Sequence, residues 1–205
     1  MRTRASWVVM TVLAFVVVLY AVALLVVPAA RAPFLRDRVA RVPLAVYAHL
    51  SASAIALAFG PFQLNAKMRV RRLGLHRWMG RVYLLCVLVG GTSGFAVAMA
   101  SMGGTIAHAG FALLAVAWMA TAVMAYRRIR AGDSADHRRW MIRNYSLTFA
   151  AVTLRIYLPA AVAFGIPFDE AYPAIAWLCW VPNLVVSEWW FVRRRIARAE
   201  LTAAV

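Results

Sequence analysis

The chain has 205 residues, 64% of them hydrophobic and 15% charged, with 23 lysines and arginines against seven acidic residues and a formal net charge of +16. A soluble domain is roughly 45–50% apolar and 25% charged, so this composition excludes an ordinary water-soluble fold and indicates a membrane protein. The positive charge is no nucleic-acid signature, because the basic residues are scattered between long apolar runs where a continuous groove-reading surface cannot form.

A helix needs about 18 to 25 apolar residues to cross about 30 Å of hydrocarbon with its backbone hydrogen bonds satisfied internally. Six runs meet that requirement: Trp7 to Val27, Val42 to Leu64, Val82 to Ala100, Ile106 to Tyr126, Tyr145 to Phe164 and Ala174 to Val192. The Trp-Arg-Tyr clusters ahead of the third and fifth runs suit the interface, so those helices are expected to begin before the apolar stretch. Pro28, Pro33, Gly74, Gly103, Gly132, Pro167 and Pro173 are read as breaks between runs. The first run resembles a signal peptide in its leading arginines and its trailing VVPAARA, but exceeds the roughly 7–15 residues of a signal h-region and is read as an uncleaved anchor. These elements predict an all-α, integral-membrane six-helix bundle, a single domain over residues 1–205.

The arginines orient it. With the N-terminus in the cytoplasm, Arg2, Arg4, the segments Lys67 to Arg81 and Arg127 to Arg143, and the tail Arg193 to Arg198 all fall inside. The opposite face keeps Arg31, Arg36, Arg38 and Arg41 in the first loop, then an uncharged link at Ser101 to Thr105 and acidic Asp169 and Glu170. That bias predicts a multi-pass protein of the inner (plasma) membrane with both termini cytoplasmic. Cys86 and Cys179 stand singly inside runs, without disulfide or metal spacing, and read as small apolar filler.

Two stretches are written twice. HRWMGRVYLL from His76 returns with one residue added as HRRWMIRNYSL from His137, and AHLSASAIALAF around His49 has a counterpart in AHAGFALLAVAW around His108. Helices two and three (residues 42–100) therefore read as a hairpin repeated, in the same direction, as helices four and five (residues 106–164), the parallel-repeat arrangement with a pseudo-twofold axis along the membrane normal. The first (7–27) and sixth (174–192) helices flank that core.

The symmetry makes His49 and His108 equivalent near the outer face, and His76 and His137 nearly equivalent near the cytoplasmic one. Two imidazoles opposed across a bundle can hold one planar haem as axial ligands. Each histidine also lies near a helix N-terminus, where the dipole disfavours imidazolium and keeps a nitrogen free for iron. The alternative stays open. Interfacial histidines beside Trp and Arg are common headgroup anchors, four alternating helices divide two per face automatically, and the inserted residue turns His137 by about 100° from strict equivalence.

LHRWMGRVYL, HRRWMIRNYSLTFAAVTLR and WVPNLVVSEWW together resemble an uncharacterised bacterial family of multi-spanning membrane proteins, a domain of unknown function, over His49 to Glu188. One histidine on each of four consecutive helices is also similar in layout to the ascorbate-reducible dihaem transmembrane cytochromes b, from which the chain departs by setting arginines directly beside the inner histidines. That second likeness implies two b-type haems, electron transfer, and quinone or another redox partner beyond the lipid bilayer.

Arg155 lies about ten residues into the fifth run, near the level of His49 and His108, and no acidic core residue reaches it. It is read as the partner of a haem propionate or an anionic substrate, or as snorkelling outward or bonding backbone carbonyls around Pro159. Glu188 stands level with Arg81 and Arg143 and is expected to pair there, fixing helix six, while Trp78, Trp140, Trp189 and Trp190 read as belt residues. Two competing readings remain: a non-enzymatic membrane protein that binds anionic lipid or a protein partner, and a small transporter suggested by the repeat and Arg155.

Overall fold

A computed structural model describes residues 4–189. All regular structure in that range is helical: α1 Arg4–Val26, α2 Pro33–Arg41, α3 Pro43–Gln63, α4 Ala66–Arg71, α5 Leu73–Met99, α6 Gly104–Arg130, α7 Ser134–Thr148, α8 Ala150–Ala163, α9 Phe168–Leu178 and α10 Val181–Val186, with a short 3₁₀ turn at Pro28–Ala30. Among the described residues, five stretches are long and apolar enough to cross a membrane: α1, α3, α5, α6 and the near-continuous rod Ser134–Ala163 made by α7 and α8. The third and fifth begin well ahead of their apolar runs, as their Trp-Arg-Tyr clusters suggested.

The last run departs from expectation. It was read as one helix from Ala174 to Val192, but helix begins at Phe168, right after Pro167, and breaks between Leu178 and Val181. Pro182 lies at the start of α10, where its ring and missing N–H prevent the chain from continuing the previous turn. Residues from 190 onward, with Trp190 and the Arg193 to Arg198 tail, lie outside the described residues, as do residues 1–3 with Arg2. Gly74 and Pro173, read as breaks, fall instead inside α5 and α9.

Local chemistry sets the other boundaries. Pro33 and Pro43 open α2 and α3 in the first turn, where a missing N–H costs nothing. The Asp133 carboxylate accepts from the Asp136 N–H at 2.8 Å and caps α7. Gly103, in the α5–α6 turn, has φ +87°, and a Cβ there would come within 3.0 Å of Tyr172, so both backbone and space demand glycine.

Apolar side chains cover both faces of the long helices, as lipid on one side and protein on the other require. On α1 the small or medium residues Ala14, Val17, Ala21 and Leu24 are buried while Val9, Val16 and Leu19 face outward. Glycines let the helices approach: a Cβ on Gly60 would overlap the Tyr145 ring, and one on Gly110 would stand 3.0 Å from the Ala176 carbonyl oxygen.

A cluster of hydrogen bonds ties α5, α6 and α7 at mid-depth. Fully buried Tyr83 donates to Asn144 Oδ1 at 2.7 Å, and Asn144 Nδ2 donates to the Trp118 carbonyl and to Thr121 Oγ1 at 2.7 and 2.8 Å. Trp118 Nε1 donates to Thr148 Oγ1 at 2.8 Å. These groups would be expensive in hydrocarbon if unpaired, and together they fix the register of three helices.

Candidate functional site

A cavity of about 240 Å³ opens within the bundle at the end that carries α2, the α5–α6 turn and the start of α9. The mid-depth cluster forms its floor, since Thr148 and Trp118 line it, and leucines, valines and alanines make half of its lining. Its polar lining, which includes His49, Arg155, Arg38, Ser101, Tyr172, Ser53, Thr148 and Tyr20, distinguishes it from a plain packing defect.

His49 reaches the cavity from α3 because α5 is bare opposite it. A Cβ on Gly94 would stand 2.7 Å from His49 Nδ1, so only glycine admits the ring in this position. Nδ1 lies 2.8 Å from the Gly90 carbonyl oxygen. A carbonyl only accepts, so the proton belongs on Nδ1 and the lone pair on Nε2, the tautomer in which a histidine ligates a metal or accepts a hydrogen bond.

Arg155 projects from α8. Its Nη1 donates to the Ala151 carbonyl oxygen at 2.8 Å, on the preceding turn rather than around Pro159, and its guanidinium lies 5.4 Å from the centre of the Tyr20 ring, yet its buried Nε takes no partner among the described residues. Arg38, on α2, is only 9% exposed. Its Nη2 donates to the Tyr172 hydroxyl at 3.2 Å, and its Nε likewise takes no partner among the described residues. The buried hydroxyl of Ser101 is in the same condition. His49 lies within electrostatic reach of both arginines, and among the described residues no acidic one lines the cavity.

Arg31 shows what a satisfied arginine looks like here. It is 8% exposed, but its Nε donates to the Leu24 carbonyl oxygen at 2.7 Å and its Nη2 to that of Leu25 at 3.2 Å, so it closes the C-terminal end of α1. Arg38 and Arg155 have no such set of carbonyls.

The other expected site residues separate into two groups. His108 does not line the cavity; its Nε2 is 2.8 Å from the Ser101 carbonyl oxygen. His76 and His137 are brought within electrostatic reach of each other at the opposite, α4 end. There His137 Nδ1 lies 2.8 Å from the Ala125 carbonyl oxygen, and His76 Nδ1 is buried without a hydrogen-bond partner among the described residues. Arg143 meets Glu188 in a two-pronged pair, Nε to Oε2 at 2.7 Å and Nη2 to Oε1 at 2.8 Å, and its guanidinium covers the Trp140 ring at 4.7 Å. Arg81 and Trp78 are exposed, Trp78 with its ring against Phe59. Among the described residues, no group of three or more His, Cys, Asp or Glu is positioned to hold a metal ion.

Sequence reasoning missed Arg38, Ser101 and Tyr172. The sequence places Arg38 in the first loop of the outer face and gives it no role, whereas α2 buries it against Tyr172, 134 residues away. Its one local signal was Pro33 ahead of a segment too long for a turn.

Residues 46–191 match the family described as "Predicted membrane protein (DUF2306)". The chain belongs to that family. The matched range takes in the four histidines, Arg155, Ser101 and Tyr172, and leaves α1 and α2, with Arg38, outside it. No curated protein and no solved structure matches the chain.

Proposed function

We propose that this protein carries electrons across the membrane through two b-type haems, the outer one in the His49 cavity and the inner one between His76 and His137. The observation that carries this reading is the His49 imidazole, whose Nδ1 is committed to the Gly90 carbonyl and whose Nε2 is left to the cavity beside two arginines. A haem brings an iron that exchanges one electron and two carboxylates that need cations. The residues present fit both demands: a neutral imidazole nitrogen for the iron, and buried Nε donors on Arg38 and Arg155 for the carboxylates.

His108 is the second outer ligand in this reading. It stands at i, i+3, i+7 and i+10 with Phe111, Ala115 and Trp118, which line the cavity, so it shares their helix face, and this reading requires it to release the Ser101 carbonyl. At the inner site the Ala125 carbonyl holds the His137 Nδ1 proton and leaves its Nε2 free, as Gly90 does for His49. The proposal includes six spans, with α9 and α10 as a broken sixth, a pseudo-twofold relation between the α3–α5 and α6–α8 hairpins, plasma-membrane insertion with both termini cytoplasmic, and quinone or a redox protein as exchange partner. Buried Met79 and Met141, and buried Tyr83 and Tyr145, are the matching positions that support the repeat.

A second reading has its own observation. Because His108 is tied back to Ser101, the cavity presents a single imidazole with two cations, which also suits a non-enzymatic holder or carrier of an amphiphilic anion such as an anionic lipid.

Colour separates the two. Protein purified from a haem-competent host is expected to show a Soret band and reducible α and β bands, with His49→Ala and His108→Ala removing one component and His76→Ala and His137→Ala the other. Folded protein without colour, or four variants that retain full haem, makes the amphiphile reading the leading one.

A further inference from the structure

We infer that the cavity recognises its occupant by two separate carboxylates, one at Arg155 and one at an outer clamp formed by Arg38, Ser101 and Tyr172, so that α2 is part of the binding site. This rests on the porphyrin reading of the cavity but not on the presence of iron. The starting point is three buried polar atoms that line one cavity and take no partner among the described residues: Arg38 Nε, Arg155 Nε and Ser101 Oγ. A buried donor without an acceptor is costly, and a guanidinium without a counter-charge in a membrane more so, so the arrangement is poorly suited to a cavity filled by apolar matter.

The two cations are held by different neighbours, which makes them two anchor points. Arg155 belongs to α8 and lies against Tyr20 of α1, with Nη1 on its own helix. Arg38 belongs to α2 and is fixed from α9 by the Tyr172 hydroxyl and from its own helix by the Phe34 ring, 5.8 Å from its guanidinium. Phe34 in turn stacks on Phe168 with ring centres 5.8 Å apart, so the clamp is braced from both elements. Gly103 seats the Ser101 turn against Tyr172, where any side chain would collide. Leucines, valines and alanines make up half of the residues that line the cavity. A flat apolar ring system with two carboxylates on one side satisfies all of these features, and a ligand with one charge leaves one arginine uncompensated.

The test uses the full-length protein in nanodiscs, titrated by fluorescence with iron-free protoporphyrin IX and with its dimethyl ester. Both ligands offer the same ring, but only the first offers carboxylates. The diacid is expected to bind at least about tenfold more tightly than the diester, as charge-assisted hydrogen bonds to arginine require. Arg38→Gln and Arg155→Gln should each weaken diacid binding by about tenfold and leave diester binding unchanged, Arg38→Lys should recover part of the loss, and Tyr172→Phe should give a smaller loss.

Equal affinity for diacid and diester overturns the inference on the native protein alone, whatever the variants do. So does folded protein that binds neither, or an Arg38→Gln variant that binds the diacid as the native chain does. The two proposals fail differently. Diacid-selective binding in a protein that never shows a haem spectrum keeps the clamp and removes iron ligation by His49, whereas a haem spectrum abolished by His49→Ala with no preference for the diacid keeps the haem and removes the clamp.

Discussion

At the α4 end Arg128 reaches Asp136 at 2.8 Å and Arg143 meets both carboxylate oxygens of Glu188, whereas at the α2 end buried Arg38 and part-buried Arg155 each keep a buried Nε that finds no acceptor among the described residues. The same residue type thus plays two parts. Where acids or helix-terminal carbonyls are available the arginines fasten helices together, and where neither is available they surround a cavity. Unpaired buried charge is the more informative condition, because folding alone gives no reason to keep it. Two glycines illustrate the division: Gly60, near the α4 end, lies against the Tyr145 ring, while Gly94, at the cavity, makes room for the His49 imidazole.

The sharpest way to break the comparison is to fill a glycine at each end. In Gly60→Leu the added side chain meets the buried Tyr145 ring, which packs against α3 and has nowhere to move, and no folded protein is expected by size-exclusion chromatography. In Gly94→Leu the obstacle is the His49 ring at the edge of the cavity, so the protein should fold and lose ligand binding. Equal behaviour of the two variants would remove the distinction between a sealed end and a binding end.

Next in size is the boundary between the ends. Asn144→Leu removes the acceptor of Tyr83 and two donated bonds at the cavity floor, and should destabilise the protein by about 2 kcal/mol at roughly 0.6 kcal/mol per interhelical bond in a membrane. Reversible unfolding in mixed detergent measures it, and a loss below about 0.5 kcal/mol would demote the cluster to an incidental contact.

The arginines themselves should differ in sign. Arg155→Leu deletes a part-buried cation whose buried Nε has no acceptor among the described residues, and is expected to stabilise the ligand-free protein by about 1 kcal/mol while weakening binding, the trade usual for functional residues. Glu188→Gln breaks a partly exposed pair and should destabilise by about 0.5–1 kcal/mol, with high salt weakening the native protein toward the variant. Thermal melts of both variants side by side give the comparison, and a stability loss in Arg155→Leu would make that arginine structural.

Much of this molecule was legible in the chain. Apolar length above about 18 residues, interrupted by proline and glycine, leaves a bilayer helix as the only way to satisfy the backbone, so the all-α fold, the five long spans and the helical lead-ins before them followed from residues alone. The Arg143–Glu188 meeting was legible because depth in a membrane is a one-dimensional coordinate: two charges at the same level on neighbouring helices have little else to face.

The site was only half legible. His49 and Arg155 stood out, since a polar residue inside an apolar run is conspicuous and costly. Arg38, Ser101 and Tyr172 sit in segments where polar residues are ordinary, and nothing local distinguishes a solvated loop arginine from a buried one. Their meeting depends on α9 lying beside α2 and on the Gly103 turn resting against Tyr172, contacts between stretches far apart in sequence. The break at Pro182, the tie between His108 and the Ser101 carbonyl, and the cavity itself are likewise tertiary. Sequence periodicity and run length determine which segments become helices, because backbone bonding and hydrophobic transfer are local. Which polar atoms are left without partners was decided only by the packing of the whole bundle, because a hydrogen bond is satisfied or not by whatever side chain the fold brings within about 3 Å.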